Sequence, residues 1–204
     1  MEIHIKKMTP ALVEDYFKFF DEIAFADHPE WGCDCYCCFY HAVSADEWEA
    51  QTGAQNKARA REMILAGKLT GLLAYADGLP VAWCHYEKKD LLPGIRTFYP
   101  EFLDDGIGIA ADIDTATGKS TAAIVCFTVA QGYRQKGIAS RMLDFACREL
   151  AQTGTAIIEA YPTKASDSDE HNYHGPLSMY LSHGFTVYKE LEGNTIVRKV
   201  VQDL

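Results

Sequence analysis

The pattern of apolar and polar positions along the chain predicts alternating strands and helices. Runs rich in β-branched and aromatic residues predict strands over 2–7, 70–76, 80–87, 121–129, 155–161, 185–191 and 195–200. Apolar residues at helical spacing predict helices over about 11–24, 44–66, 137–151 and 175–183. The resulting order, β-α-α-β-β-β-α-β-α-β-β, predicts an α/β fold: a mixed sheet with helices on both faces.

Capping residues mark where the first two helices begin. Thr9-Pro10 places an N-cap residue before a proline at the first helical position. Ser44 is followed three residues later by Glu47, which is the spacing of a capping box. We expect the helix that starts at Ser44 to run to about Ala66, with a break near Gly53.

The stretch 91–117 carries several prolines and glycines and shows no sustained period. We therefore predict an irregular insertion here, with a short helix at Tyr99–Leu103. Long loops of this kind in compact domains often carry function or move.

Composition and charge narrow the class of protein. The 204 residues, 48% of them hydrophobic, predict a single domain over 1–204. No apolar run is long enough to cross a membrane, and residues 1–7 lack the apolar centre of a signal peptide, so we expect a cytoplasmic protein. A net charge of -10 opposes binding to nucleic acids and to anionic membranes. The odd number of cysteines, seven, favours free thiols over a disulfide framework.

The turn between the strand at 121–129 and the helix at 137–151 holds Arg134, Lys136 and Gly137. A helix start offers unpaired N–H groups and the positive end of a dipole, and glycine lets an anion approach the backbone. These residues predict a pyrophosphate cradle, although an ordinary connection with solvated basic residues has the same composition. Gly118-Lys119-Ser120 is not a P-loop, because Ile113 replaces the first glycine and no helical pattern follows.

Arg134-x-x-Gly137-x-Ala139 resembles motif A, [RQ]-x-x-G-x-[GA], of the GCN5-related N-acetyltransferase (GNAT) family. Downstream, Tyr180-x-x-x-Gly184-Phe185 resembles the family's Y-x-x-x-G-F. The resemblance covers about residues 70–200. It implies the GNAT fold and an acetyl-CoA-dependent N-acetyltransferase that acts by direct attack in a ternary complex, with acetyl-CoA as co-substrate.

The resemblance also implies where acetyl-CoA binds. The pantetheine arm is expected in a gap beside the central strand, paired with backbone around Phe127 and Val129. The pyrophosphate is expected at the turn and the helix start. The implied binding residues are Phe127, Thr128, Val129, Arg134, Gln135, Lys136, Gly137, Ile138, Ala139 and Ser140.

Two residues are candidates for the proton transfers. Tyr180 stands where the family usually places a tyrosine that faces the thioester sulfur, and its unperturbed pKa of about 10 exceeds the thiol's value of about 8.5. The alternative is a core tyrosine. The family's strand glutamate is replaced here by Ala123, so Glu159 on the next strand is the first candidate for the base. The alternative is a carboxylate paired with a cation.

Other groups remain open as the base, namely Glu87, His85, His174 or a water molecule relayed to several groups. The asparagine that the family often places seven residues before the tyrosine is also replaced, here by Tyr173, with Asn172 next to it.

The segment Trp31–His41 combines aromatic residues with Cys33, Cys35, Cys37 and Cys38. With His28 and His41 these thiols supply enough donors for zinc, but adjacent C-x-C pairs are poor chelators, so we expect no metal. The alternative is a set of small buried apolar residues. By resemblance the segment is expected to line the acceptor pocket, where Asp34 and the acidic stretch 167–170 would attract a cationic amine.

The leading hypothesis is therefore a cytoplasmic N-acetyltransferase, a monomer or homodimer, that acetylates a small-molecule amine or a peptide. A second hypothesis is an acyl-CoA-binding sensor without turnover, which the absence of the strand glutamate favours. A third is a zinc- or redox-responsive module built on the cysteines of 33–38.

Overall fold

The computed structural model of the protein describes residues 1–28, 33–103, 113–114, 119–164 and 172–201. Its strands are β1 Ile3–Lys7, β2 Gly71–Ala76, β3 Leu79–Lys88, β4 Ile113–Asp114, β5 Lys119–Val129, β6 Thr155–Ala160, β7 Thr186–Glu190 and β8 Thr195–Val200. They form one sheet in the order β1-β2-β3-β5-β6-β8-β7, and the short β4 pairs with β5. The β5–β6 pair is parallel and the other pairs are antiparallel. The predicted mixed α/β sheet is confirmed.

The α-helices are α1 Val13–Lys18, α2 Ala45–Glu49, α3 Gly53–Leu65, α4 Pro93–Phe98, α5 Ile138–Ala151 and α6 Leu177–Ser182. The first predicted helix is divided, because a 3₁₀ turn at Pro10–Leu12 precedes α1 and a π-helical turn at Phe19–Ile23 follows it. The predicted break near Gly53 is confirmed. Thr52 there forms a second capping box, in which its side chain and that of Gln55 bond each other's backbone N–H groups.

The capping box predicted at Ser44 is only half formed. The Ser44 hydroxyl accepts from the Glu47 N–H at 3.1 Å, as expected. The Glu47 carboxylate instead accepts from the N–H of Val43 at 2.7 Å, one residue before the cap. Thr9 makes no side-chain cap bond with the described residues.

The stretch predicted to be irregular contains α4 and a 3₁₀ turn at Pro100–Phe102. Leu92, Ile95 and Phe102 are buried against β5 and Tyr161, which explains why this stretch folds despite its lack of period. The remainder of the predicted insertion, at 104–112 and 115–118, lies outside the described residues.

Helices cover both faces of the sheet. The apolar face of α5, with Ile138, Met142 and Ala146, packs on β2, β3, β5 and β6. On the other face, α1 and α3 pack on Leu73 and Trp83. In the described part of the chain, no helix is both long enough and apolar enough to span a bilayer.

β5 separates from its parallel neighbour midway along its length. Opposite β3, its register shifts so that Val125 is an extra, unpaired residue, which is a β-bulge. Pairing with β6 ends at Ile124 opposite Ala160, while β5 continues to Val129. The predicted gap beside the central strand is confirmed, and the Phe127 N–H there donates to the Tyr173 carbonyl at 2.6 Å.

Candidate functional site

A cleft of about 720 Å³ opens where β5 separates from β6. Its walls are the end of β5, the turn before α5, the start of α5, the segment 33–40 and the residues around 172–179. All the residues predicted to bind acetyl-CoA line it except Lys136. The Lys136 ammonium donates to the Gly132 carbonyl at 2.6 Å and lies over the Tyr133 ring.

The start of α5 has the features of an anion site. Gly137 is the N-cap in the left-handed region, with φ 73°, and it provides no side-chain cap to the helix. The first N–H groups of an α-helix lack partners within the helix, and the dipole is positive at this end. A Cβ placed on Gly137 would meet no described atom within 4 Å, so the backbone here is open to a ligand.

Arg134 is held by protein groups in this structure. Its guanidinium donates to the Val129 carbonyl at 3.0 Å and to the Asp27 carboxylate at 2.9 Å, and the Asp27 side chain is nearly buried. The side chain therefore fixes the turn onto β5 and the N-terminal region. The N–H groups of the helix start are the groups best placed to meet an anion.

Tyr180 lies one layer behind the cleft. It is fully buried, and its hydroxyl donates to the His174 carbonyl at 2.6 Å. Burial raises the pKa of this phenol well above its ordinary value of 10. Tyr180 is not among the described residues of the cleft wall, but its neighbours Gly175 and Met179 are.

Glu159 does not have the surroundings expected of a base. It is fully buried and lies outside the described cleft wall. Its carboxylate accepts bonds from Lys89, Arg198 and Tyr161, each at 2.7 Å. With both oxygens engaged by cations, it cannot meet an amine in the cleft. The structure therefore favours the alternative of an ion-paired carboxylate over the predicted role of Glu159 as the base.

Among the groups left open as the base, His85 alone is a described residue of the cleft wall. It is fully buried, and its Nδ1 has no hydrogen-bond partner among the described residues. Its Nε2 lies 3.4 Å from Nε2 of His41, and the two rings stack. Burial lowers the pKa of His85 well below its ordinary value, so the imidazole is neutral near pH 7.

The other two side chains, those of His174 and Glu87, are not among the described residues of the cleft wall. His174 shares a hydrogen bond of 2.6 Å with the Tyr40 hydroxyl, and burial lowers its pKa to about 3. The Glu87 carboxylate accepts from the Lys88 N–H and from the Thr70 hydroxyl, and burial raises its pKa. His85 lies on β3, and its neighbour His41 comes from a distant part of the chain. No local pattern in the sequence therefore distinguished His85 as a candidate.

The cysteine-rich segment forms part of the cleft wall, and that this wall receives the acceptor stays a prediction. Its members there are Cys33, Asp34, Cys35, Cys37, Phe39 and Tyr40. Trp31 and the acidic stretch 167–170 lie outside the described residues. All seven cysteines are free thiols. The described residues contain no group of three metal-ligating side chains arranged to hold an ion, and whether the protein binds a metal stays untested.

The chain is similar to known proteins in its family and in its fold. The family model described as "Acetyltransferase (GNAT) family" matches residues 38–175, more than half of the chain. Among curated protein sequences, none matches significantly.

Solved structures share the fold at low identity. The GNAT domain of PAT from S. lividans has 15% identity and a TM-score of 0.55, over 97% of this chain and 90% of that one. YncA from Salmonella typhimurium, solved with acetyl-CoA, has 13% identity and a TM-score of 0.52, over 99% and 95%. A chain of the NatC complex, bound to Gag peptide and CoA, has 13% identity and a TM-score of 0.55, over 99% and 100%. With its two motifs, its sheet and the family match in agreement, the chain belongs to the GNAT acetyltransferase family.

Proposed function

We propose that the protein transfers the acetyl group of acetyl-CoA to a primary amine by direct attack within a ternary complex. The observation that carries this proposal is the uncapped start of α5, which opens on a cleft of about 720 Å³ with free space over Gly137. A pyrophosphate there would accept bonds from the N–H groups of Gly137 to Ser140.

The gap beside β5 would take the pantetheine arm. Two backbone groups near it have partners in this structure, the Phe127 N–H with Tyr173 and the Val129 carbonyl with Arg134. Pantetheine amides would replace these bonds or pair with the backbone between them. The acetyl-CoA complex of YncA and the CoA complex of NatC support the choice of ligand, since both proteins share this fold.

The opposite wall of the cleft would receive the amine. Asp34 is the only carboxylate among the described lining residues, and Phe20, Phe25 and Phe39 lie on the same cleft. This combination favours a cationic amine with an apolar body. The peptide bound in the NatC complex is consistent with either a small amine or a peptide as the acceptor.

His85 is the proposed proton acceptor. It lies opposite Cys126 on β5, next to the bulge and the gap, so its unpartnered Nδ1 is near the proposed position of the thioester. The amine must first lose one proton to bulk water, because a protonated amine has no electron pair for the attack. Its nitrogen becomes strongly acidic once it has formed a bond to the carbonyl carbon. A buried imidazole of low basicity is therefore sufficient to take that proton.

Tyr180 is the proposed acid. As the C–S bond breaks, the electron pair leaves on the CoA sulfur, and the phenol would supply the proton. Its raised pKa keeps it protonated near pH 7. For the phenol to release that proton to a thiolate, its pKa would have to fall as the hydroxyl turns out of its buried position toward the cleft. The hydroxyl would have to exchange the His174 carbonyl for the sulfur.

An acetyl-transfer assay tests the proposal. The purified protein is mixed with acetyl-CoA and a panel of primary amines and short peptides, and released CoA is separated and quantified. We expect release that depends on the amine, with cationic aromatic amines among the best acceptors. Binding of acetyl-CoA without release for any amine would favour a sensor, and absence of binding would refute the acetyl-CoA site.

A further inference from the structure

Four thiols of the cleft wall take no part in the proposed transfer. Cys33, Cys35 and Cys37 lie on the segment between the first helices, and Cys126 lies on β5. We call these four residues the thiol row. Cys33, Cys35 and Cys126 are partly accessible, and all four face the same cleft.

Contacts join the row into a chain. The side chains of Cys33 and Cys37 both influence the pKa of the Cys35 thiol, and the side chain of Cys126 influences that of Cys37, so neighbouring thiols of the row lie within interaction range. The indole N–H of Trp83 donates to the Cys37 sulfur at 3.0 Å, which fixes the position of that thiol. Cys35 is therefore the thiol with a thiol neighbour on each side.

The backbone of the segment is strained and firmly held. Tyr36 and Cys37 have φ values of 39° and 54°, in the left-handed region that few side chains favour. Three hydrogen bonds hold this conformation. The Tyr16 hydroxyl donates to the Tyr36 carbonyl at 2.9 Å, and the Asn56 side-chain amide donates to the Asp34 carbonyl at 2.8 Å. The third is donated by the Cys38 N–H to the Cys35 carbonyl at 2.7 Å. Strain that the surroundings maintain is typical of functional segments.

The last of these bonds closes a β-turn from Cys35 to Cys38. Residues two positions apart within such a turn have close Cα atoms, which is one of the conditions for a disulfide. The turn therefore places Cys37 as the partner of Cys35.

The pKa values of the thiol row distinguish Cys35 from its neighbours. Hydrogen bonds from Cys33 and Cys37 hold the pKa of Cys35 well below its usual range. The Cys35 side chain and burial raise the pKa of Cys33, and the side chains of Cys126 and Cys35, together with burial, raise the pKa of Cys37. A thiolate flanked by protonated thiols combines a nucleophile with a resolving group.

We propose that the thiol row is a reversible oxidation site, at which Cys35 reduces a hydroperoxide and then forms a disulfide with Cys37. In the first step the Cys35 thiolate attacks the peroxide, the O–O bond breaks, and the sulfur becomes a sulfenic acid while water or an alcohol leaves. In the second step the Cys37 thiol displaces the hydroxyl group of that sulfenic acid, so the S–S bond forms and a second water leaves. A dithiol reductant returns both sulfurs to thiols.

Oxidation of the row would change the proposed acceptor wall of the cleft. The chemistry itself does not depend on acetyl transfer, so it can be present or absent whatever the protein acetylates. The two proposals therefore fail separately.

Hydrogen peroxide is the probe. Fully reduced protein is exposed to one equivalent, then denatured and alkylated, and its free thiols are counted by mass spectrometry with the disulfide located by peptide mapping. We expect wild type to lose one pair of thiols, linked as Cys35–Cys37, with dithiothreitol restoring both. Cys147→Ser is the matched control, because Cys147 is a half-buried thiol outside the cleft wall, with a pKa that burial raises to about 11. It should behave as wild type.

Two further variants locate the roles. Cys35→Ser should form no disulfide at this dose. The double variant Cys33→Ser/Cys37→Ser, which removes both thiol neighbours of Cys35, should accumulate a dimedone-reactive sulfenic acid on Cys35. If Cys35→Ser fails to fold, a brief dimedone trap on wild type gives the same information, with the label expected on Cys35. A wild-type protein that keeps all its thiols, a disulfide that excludes Cys35, or dimedone on another thiol would overturn the proposal.

Discussion

His85 is the side chain on which the proposed proton transfer depends. Burial lowers the pKa of the His41 ring to about 4, so this ring is also neutral near pH 7. Nε2 of His41 and Nε2 of His85 lie 3.4 Å apart, so one ring donates a hydrogen bond to the other, and the proposal requires Nε2–H of His85 to be the donor. Nδ1 of His85 is then the atom with the free electron pair, and it is the atom without a partner among the described residues.

Replacing His85 by Gln keeps a polar side chain of similar size and removes the basic nitrogen. We expect turnover to fall by about 10²–10⁴-fold, the usual contribution of a general base. The affinity for acetyl-CoA should change little, because the pyrophosphate site lies at α5. Steady-state kinetics and calorimetry measure the two quantities, with His4→Gln on the exposed part of β1 as control. Wild-type turnover in His85→Gln would eliminate His85 as the base.

Tyr180→Phe removes only a hydroxyl. We expect a loss of turnover of about 10²–10⁴-fold without weaker binding of acetyl-CoA, because the phenol acts after the cofactor has bound. The variant also leaves the His174 carbonyl without its donor, which costs about 1 kcal/mol of stability. Thermal denaturation separates that effect, and the exposed Tyr188→Phe is the control. Unchanged turnover would make Tyr180 a packing residue.

Three elements meet at Glu159. It lies on β6, Arg198 lies on β8, and Lys89 follows β3. Lys89 and Glu159 are both buried, so each charge depends on the other for compensation. Such a network joins the two halves of the sheet, and these ion pairs favour a structural role for Glu159.

Glu159→Gln would leave two cations without their carboxylate. We expect a loss of about 3–5 kcal/mol in the free energy of unfolding, as for other buried pairs broken on one side. Urea denaturation measures this loss. Glu190→Gln is the control, since the Lys164–Glu190 pair is exposed and should cost about 1 kcal/mol or less. Unchanged stability together with lost acetyl transfer would instead indicate that Glu159 is the catalytic base.

The sequence predicted those elements whose signals are local. The strand–turn–helix around Gly137 has a long apolar run, a glycine and an amphipathic helix in succession, and it was found with nearly correct bounds. α4 was missed, because its few apolar residues are too short a run to show a period and are buried by residues from distant parts of the chain, among them Val125 and Tyr161. Glu159 was misjudged for the same reason: its partners Lys89 and Arg198 lie 70 and 39 residues away.

One cleft is lined by residues from the N-terminal half and from the C-terminal half of the chain. β5 leaves β6 at Ile124, α5 starts at the mouth of the gap, and the segment 33–40 closes the other side. With a net charge of -10, the protein as a whole repels an anion such as acetyl-CoA. Binding must therefore come from a local site, and the start of α5 is where the structure provides one.

Calorimetric titration of acetyl-CoA into Gly137→Asp tests that claim most directly. The carboxylate would face the phosphates in the space that is open over Gly137, so we expect the affinity to fall by at least about tenfold, or about 1.4 kcal/mol. Gly154→Asp is the matched control, because Gly154 follows α5 at its other end, also has a positive φ of 75° and also faces open space. The affinity of the Gly154→Asp variant for acetyl-CoA should equal that of wild type. Wild-type affinity in a folded Gly137→Asp protein would contradict the assignment of acetyl-CoA to the start of α5.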